Sequence, residues 1–271
     1  MTVNQKRLRR QPFANPAFFN ILIFPIMNIT NKTVLVTGGG SGIGLAIAKT
    51  LTEKGSRVII VGRNEARLQQ AAAEVPGVTA IVADINNAAD IARLVQRVQA
   101  EFGDLSVLIN NAGQASAYEL TAGANAFEKA SAEIATNYLG MIHLTERLLP
   151  TLSAQPEAAI VNVSSIVAYA PNATIATYSA SKAAVHSYTQ SLRHTLAKTT
   201  NIRVFELMPP LVDTEFSAEI GGASGIPPQQ VADELLTGLA NGDDEIRVGN
   251  TAGFYEFSRT SPAEAFASMN G

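Results

Sequence analysis

The chain has 271 residues, a formal net charge of −3 and no cysteine. That length can bury a substantial core, in one large α/β domain or two small ones. The slight acidity excludes the basic footprint of a nucleic-acid binder. The lack of cysteine excludes disulfides, a thiol nucleophile and thiolate metal ligation, and is compatible with the reducing cytoplasm expected here.

Lys6, Arg7, Arg9 and Arg10 precede the apolar run AFFNILIFPIMNI, which Asn20 and Pro25 interrupt. About 20 predominantly apolar residues are needed to span a bilayer, so no integral membrane span is expected. The stretch loosely imitates a signal peptide, but no clear small-residue cleavage site follows it. Residues 1–30 are read as a poorly ordered extension, with Met27 as an alternative translation start, and residues 31–271 as a single domain.

From Thr33 onward, short apolar runs alternate with helical patterns. TVLVT, RVIIV, VTAIVA, SVLIN, AAIVNVS, IRVFEL and EIRVG read as seven strands. Helices are expected over LAIAKTLTEK, EARLQQAAAEV, AADIARLVQRVQAEF, Phe127 to Leu152, and Thr177 to Lys198. Continuous rather than alternating hydrophobicity suits parallel strands covered on both faces. The expected fold is therefore a doubly wound, mostly parallel α/β sheet of about seven strands, a Rossmann fold.

TGGGSGIG, Thr37 to Gly44, places five glycines in eight positions between the first strand and its helix. Glycine there marks a positive φ or a close approach, and a helix start aims free N–H groups at an anion. At the end of the second strand, where an acidic residue holds the ribose of NAD, the chain has Gly62 followed by Arg63. An arginine offers a planar fork to a 2′-phosphate, so NADP(H) is preferred over NAD(H); alternatively Arg63 is a solvated charge at a helix entry. Tyr178 and Lys182 stand four apart on a predicted helix and can face one cleft. A neighbouring ammonium would favour tyrosinate and lower the tyrosine pKa. Alone, each is an ordinary helix-surface residue. His143, His186 and His194 are too scattered to suggest a metal cluster, and no metal is expected.

The glycine loop resembles the TGxxxGxG motif of short-chain dehydrogenases/reductases. Asn110-Asn111-Ala112-Gly113 is similar to that family's NNAG motif, and Tyr178 to Lys182 to its YxxxK motif. Ser165 lies thirteen residues before Tyr178, and Asn137 occupies the position that completes the family's Asn-Ser-Tyr-Lys tetrad. The closing phrases PPLVDTEF, EIRVG and SPAEAFASMNG resemble a branch encoded with the D-alanyl-lipoteichoic acid machinery.

The resemblance implies an oxidoreductase that moves hydride between nicotinamide and a small carbonyl or alcohol. Tyr178 would be the general acid/base, Ser165 would bind the reacting oxygen, Lys182 the ribose, and Asn137 would help place a relay water. It implies cofactor contacts at Thr37, Gly38, Ser41, Gly42, Ile43, Gly44, Asn111, Ala112 and Gly113, and an adenine contact at Asp84. Val212 and Thr214 would lie beside the nicotinamide, although Pro210 replaces a usual glycine and puts the backbone path there in doubt. A substrate lid is expected over residues 211–228, with homodimer or homotetramer assembly through the two long helices. A non-catalytic NADP(H)-binding regulator is the alternative.

Overall fold

A computed structural model describes residues 27 and 29–271. The strands are β1 (Thr33–Thr37), β2 (Arg57–Gly62), β3 (Thr79–Val82), β4 (Leu105–Asn110), β5 (Ala158–Val163), β6 (Ile202–Met208) and β7 (Glu245–Arg247). They form one seven-stranded sheet in the order β3-β2-β1-β4-β5-β6-β7, with every pairing parallel. Strand order reverses between β1 and β4, which opens a crevice at their carboxyl ends.

The connecting helices are α1 (Gly42–Glu53), α2 (Glu65–Glu74), α3 (Ala88–Glu101), α4 (Ala126–Ile134), α5 (Met141–Ser153), α6 (Ala176–Thr199) and α7 (Pro228–Asn241), followed by α8 (Thr251–Thr260) and α9 (Pro262–Asn270). The sheet is apolar on both faces because alternate side chains enter two cores. Val34 and Val36 pack with Ile47 and Leu51 of α1 and Leu235 of α7. Leu35 points the other way, to the cluster that holds Ile91 and Leu94 of α3 and Leu144 and Leu148 of α5. No helix among the described residues is long and apolar enough to cross a membrane.

The helix expected from Phe127 to Leu152 is interrupted. Residues Ala135–Gly140 form a π-helical turn between α4 and α5, and Asn137 lies within it. Such turns insert an extra residue into the helical ladder and are frequent at functional sites. At Gly140 an added Cβ would sit 2.9 Å from the Ile85 carbonyl, so only glycine lets the turn approach the chain after β3 this closely.

Residues 1–26, most of the expected extension, lie outside the described residues. Met27 and Ile29, also assigned to it, are buried in the core at 1% and 7% exposure. The Ser56 hydroxyl donates to the Ile29 carbonyl at 2.6 Å. Burying such side chains contributes about 1.5–3 kcal/mol each. A chain beginning at Met27 should therefore keep its melting temperature and cofactor affinity, whereas one beginning after Ile29 should melt well below it. Equal melting of the two shortened chains would show that these side chains contribute nothing.

Candidate active site

The glycine loop closes over the carboxyl end of β1 in a conformation that side chains cannot share. Gly38 and Gly42 have φ of +66° and +52°. A Cβ at Gly44 would lie 2.3 Å from the Gly38 carbonyl oxygen and 2.5 Å from Asn111 Nδ2. α1 starts at once, with Ser41 as an N-cap whose side chain makes no capping bond and with no acidic residue in the first turn. Its leading N–H groups and positive helix end thus fit a pyrophosphate.

β4 braces this loop from the other side of the crevice. Thr37 Oγ1 accepts from the backbone N–H groups of Asn111 and Ala112, each at 3.0 Å. Asn111 Nδ2 donates back to the carbonyls of Thr37 and Gly38 at 2.9 and 3.3 Å. The reciprocal set fixes the two strand ends that form the topological switch point.

Tyr178 and Lys182 converge on a cleft of about 290 Å³, whose lining includes Gly38, Ser41, Gly42, Ile43 and Ser164, the residue before Ser165. Tyr178 and Lys182 come from α6, one turn apart, with Lys182 Nζ 5.5 Å from the Tyr178 ring centroid. Ser165 follows β5 and caps a short 3₁₀ turn, its Oγ accepting from Val167 N at 3.3 Å. Lys182 Nζ donates to the Val163 carbonyl at 2.8 Å.

Burial governs the charges. It raises the Tyr178 pKa above its ordinary value; the Ser165 hydrogen bond opposes this and the Glu133 carboxylate adds to it. The ammonium effect expected from residue types alone is not among the influences that shift Tyr178, and desolvation disfavours tyrosinate. Burial also pushes Lys182 down to about 8, against the opposing effect of Glu206. Near neutrality the arrangement holds a protonated phenol beside an ammonium, a proton donor with a cation behind it.

Asn137 is buried, and its side chain is fully committed. Oδ1 accepts from Gln114 N at 2.7 Å, while Nδ2 donates to Gln114 O at 2.9 Å and Ser181 Oγ at 2.8 Å. It braces the segment after β4 against α6. A Cβ at Gly113 would lie 3.5 Å from Asn137 Oδ1 and 3.9 Å from Lys182 Nζ, so all three meet at one point.

A second cavity, about 130 Å³, opens beside the glycine loop, and Gly62, Arg63, Asp84, Ala112 and Gly113 line it. Arg63 is exposed at its rim. Asp84 Oδ1 accepts from Asn86 N at 2.9 Å, the turn role that an aspartate there can fill without a ligand. Opposite, Val212 is buried in a bridge with Ile226, and Thr214 caps the turn Glu215–Ile220. Thr214 closes directly over the loop, since a Cβ at Gly42 would lie 3.1 Å from its Cγ2. Pro210 is accommodated in this path, with its Cγ 3.7 Å from where a Gly249 Cβ would be.

Three charged residues of the site were not singled out from the sequence. Arg67, one turn beyond Arg63, lines the cleft and pairs with Glu215 across it at 2.5 Å. Glu133 is fully buried, accepts from Ser116 N at 2.7 Å through one oxygen, and leaves the other without a protein partner. Glu206 is fully buried inside β6, where a carboxylate within the apolar run IRVFELM was the available signal.

Known proteins resemble this chain in sequence and fold. The short chain dehydrogenase family profile matches residues 32–224. The uncharacterized oxidoreductase DltE of Bacillus subtilis is 36% identical over 249 residues, covering 90% of this chain and 98% of that protein. An uncharacterized oxidoreductase of Staphylococcus aureus is 34% identical over 215 residues, covering 78% of this chain and 92% of the other. A short chain dehydrogenase from Burkholderia cenocepacia, solved in complex with NADP, superposes with a TM-score of 0.80 at 30% identity, covering 90% of this chain and 99% of that one. One from Burkholderia phymatum, solved with NAD, has the same fold at TM-score 0.80 and 21% identity, covering 87% of this chain and 96% of that one. The chain belongs to the short-chain dehydrogenase/reductase family and is an NAD(P)-dependent oxidoreductase.

Proposed function

We propose that the protein interconverts a small, partly apolar carbonyl compound and its alcohol with NADP(H), using Tyr178 as the acid/base. The observation that carries this reading is that Tyr178 and Lys182 line the cleft beneath the glycine loop together, with Ser165 next in sequence to Ser164 of the same lining. Bound there, the nicotinamide would supply or accept the hydride. The chain's own residues do the rest. Ser165 donates a hydrogen bond to the substrate oxygen, and Tyr178 Oη gives that oxygen its proton in reduction or takes it in oxidation. Lys182 holds the cofactor ribose and places positive charge behind the phenol. Asn137 aligns α6 against the wall after β4.

Thr37 to Gly44 with the α1 start would hold the pyrophosphate, Asp84 the adenine side, and Val212 and Thr214 the carboxamide side. The Tyr178 ring stands 5.9 Å from that of Phe216 and packs near Ile166, Val167 and Ile175, which supports a partly apolar substrate beneath residues 211–228. Assembly as a homodimer or homotetramer in the cytoplasm completes the proposal; Phe127 and Leu139, exposed on the long helical pair, suit such contacts. A screen of carbonyls and alcohols by nicotinamide absorbance, run with both cofactors, tests the reaction, and no turnover with any would count against it.

Arg63 carries the cofactor preference. It lies at the rim of the cavity beside Gly62, the last residue of β2, which puts no carboxylate at that strand end. A hydrogen bond to a charged group contributes about 1.5–3 kcal/mol, so Arg63→Ala should weaken NADPH binding about tenfold or more. NADH binding should change little. Equal losses for the two cofactors, measured by fluorescence titration, would reject the assignment.

A further inference from the structure

Behind the cleft runs a second polar chain that the tetrad does not include. Glu206 has no solvent exposure, and a buried carboxylate persists only when paired. Its partners come from both neighbouring elements. Ser164, adjacent to Ser165, donates its hydroxyl to Glu206 Oε1. His186 Nδ1 lies 2.9 Å from Glu206 Oε2. On α6, Tyr178, Lys182 and His186 recur every fourth residue, which aligns them on one helix face. Lys182 meets the Val163 carbonyl, one residue before Ser164. Consecutive residues of β5 and consecutive turns of α6 are thus tied together, with Glu206 of β6 between them.

We propose that Glu206 is a positioning residue of this reaction: its carboxylate, fixed by Ser164 and His186, is the buried countercharge that keeps Lys182 an ammonium behind Tyr178. The proposal rests on the reading of Lys182 as the ribose-binding cation. Other charges also surround the pair, and Arg193 of α6 opposes the charging of His186. Tyr169, in the turn after β5, and Glu245, the register neighbour of Glu206 on β7, face the same region, and Arg247 pairs with Glu245. Glu133 acts on Tyr178 from α4. Among the described residues, Glu206 is the carboxylate that opposes the burial penalty on Lys182. His186 is held above its usual pKa first by its hydrogen bond to Glu206.

The sign follows directly. Lys182 already sits at about 8 because burial disfavours its charge, and removing the opposing carboxylate leaves that penalty unbalanced. In Glu206→Gln the Lys182 titration midpoint should fall by about half a unit or more, equivalent to roughly a threefold loss in the ammonium-to-amine ratio.

The experiment reads the Lys182 side-chain resonance by NMR across the pH range, assigned by its disappearance in Lys182→Ala. NADPH affinity of wild type and Glu206→Gln is measured in parallel at about pH 6.5 and about pH 8.5. The expected result is a lowered midpoint, with NADPH affinity near wild type at the lower pH and roughly threefold or more weaker at the higher. A midpoint shift below about half a unit, or an equal affinity loss at both pH values, overturns the proposal, because a purely structural defect acts at every pH. If Glu206→Gln fails to melt cooperatively, the wild-type Glu206 carboxyl resonance decides. It must show a step at the Lys182 midpoint, and its absence overturns the proposal. A wild type that binds no NADPH at either pH would instead overturn the cofactor reading of Lys182, while the NMR titration still decides the role of Glu206.

Discussion

Tyr178→Phe should lower turnover on an identified substrate by about 10²–10⁴-fold, the usual contribution of a positioned general acid or base. NADPH affinity should change little, since the phenyl ring retains the packing against Phe216 and the ammonium of Lys182 remains 5.5 Å from the ring position. What disappears is the hydroxyl that carries the transferred proton. The pH dependence of the wild type gives the same assignment a second readout. Burial keeps the phenol protonated, so carbonyl reduction should hold steady below the Lys182 midpoint and decline as the pH rises through about 8. Alcohol oxidation needs the phenolate and should rise with pH instead. A Phe variant with ordinary turnover would remove Tyr178 from the mechanism, whatever its cofactor affinity.

The contrast between residue type and environment explains what could be read in advance. All seven strands were legible as short Val- and Ile-rich runs bounded by turn residues; the central ones, such as AAIVNV, are buried along their whole length, while the edge strands β3 and β7 are only partly buried. The glycine loop was legible because both its φ angles and its close approaches demand glycine. The π turn at Asn137 was not, since helical periodicity runs unbroken from Phe127 to Leu152 and a single inserted residue leaves no mark in it. α7 did carry punctuation, Pro228 in its first turn and Gly242 at φ +80° after its end, although no helix was assigned there. α8 and α9 are short and partly exposed, and their hold on the fold is tertiary: Asn172 donates to the Met269 carbonyl and Asn270 to that of Pro171.

Charge behaviour was the least legible property of the site. The pairing of Tyr178 with Lys182 suggested an acidified phenol, but the direction depends on how much water each group loses. For Lys182 desolvation is opposed by the Glu206 charge, whereas for Tyr178 desolvation and the Glu133 charge act together, and the packing of α6 against β5 and β6 sets both balances. Glu206 shows the same limit from the other side. Its presence in a strand could be read, but its partners, Ser164 and His186, lie 42 and 20 residues away.

Gly44→Ala should abolish most cofactor binding and cost about 1–3 kcal/mol of stability, the usual penalty for forcing extra volume into a packed site. The added methyl would meet the Gly38 carbonyl oxygen at 2.3 Å and Asn111 Nδ2 at 2.5 Å. Neither neighbour can move alone. The Gly38 backbone is held by its N–H bond to Val61 O at 2.7 Å, and Asn111 is held by Thr37. Relief therefore requires α1 to withdraw from β1, which moves the anion-facing N–H groups off target and opens the crevice between β1 and β4. Gly253→Ala provides a matched control, because it also adds one methyl to the first turn of a helix, α8, but finds nothing within 4 Å. That change should be neutral or stabilise by up to about 1 kcal/mol through the unfolded chain and should leave NADPH affinity intact. Thermal melting and NADPH titration of the two variants separate a local steric cause from a general sensitivity to losing glycine. Similar outcomes at positions 44 and 253 would refute the view that the loop's function depends on this single close approach.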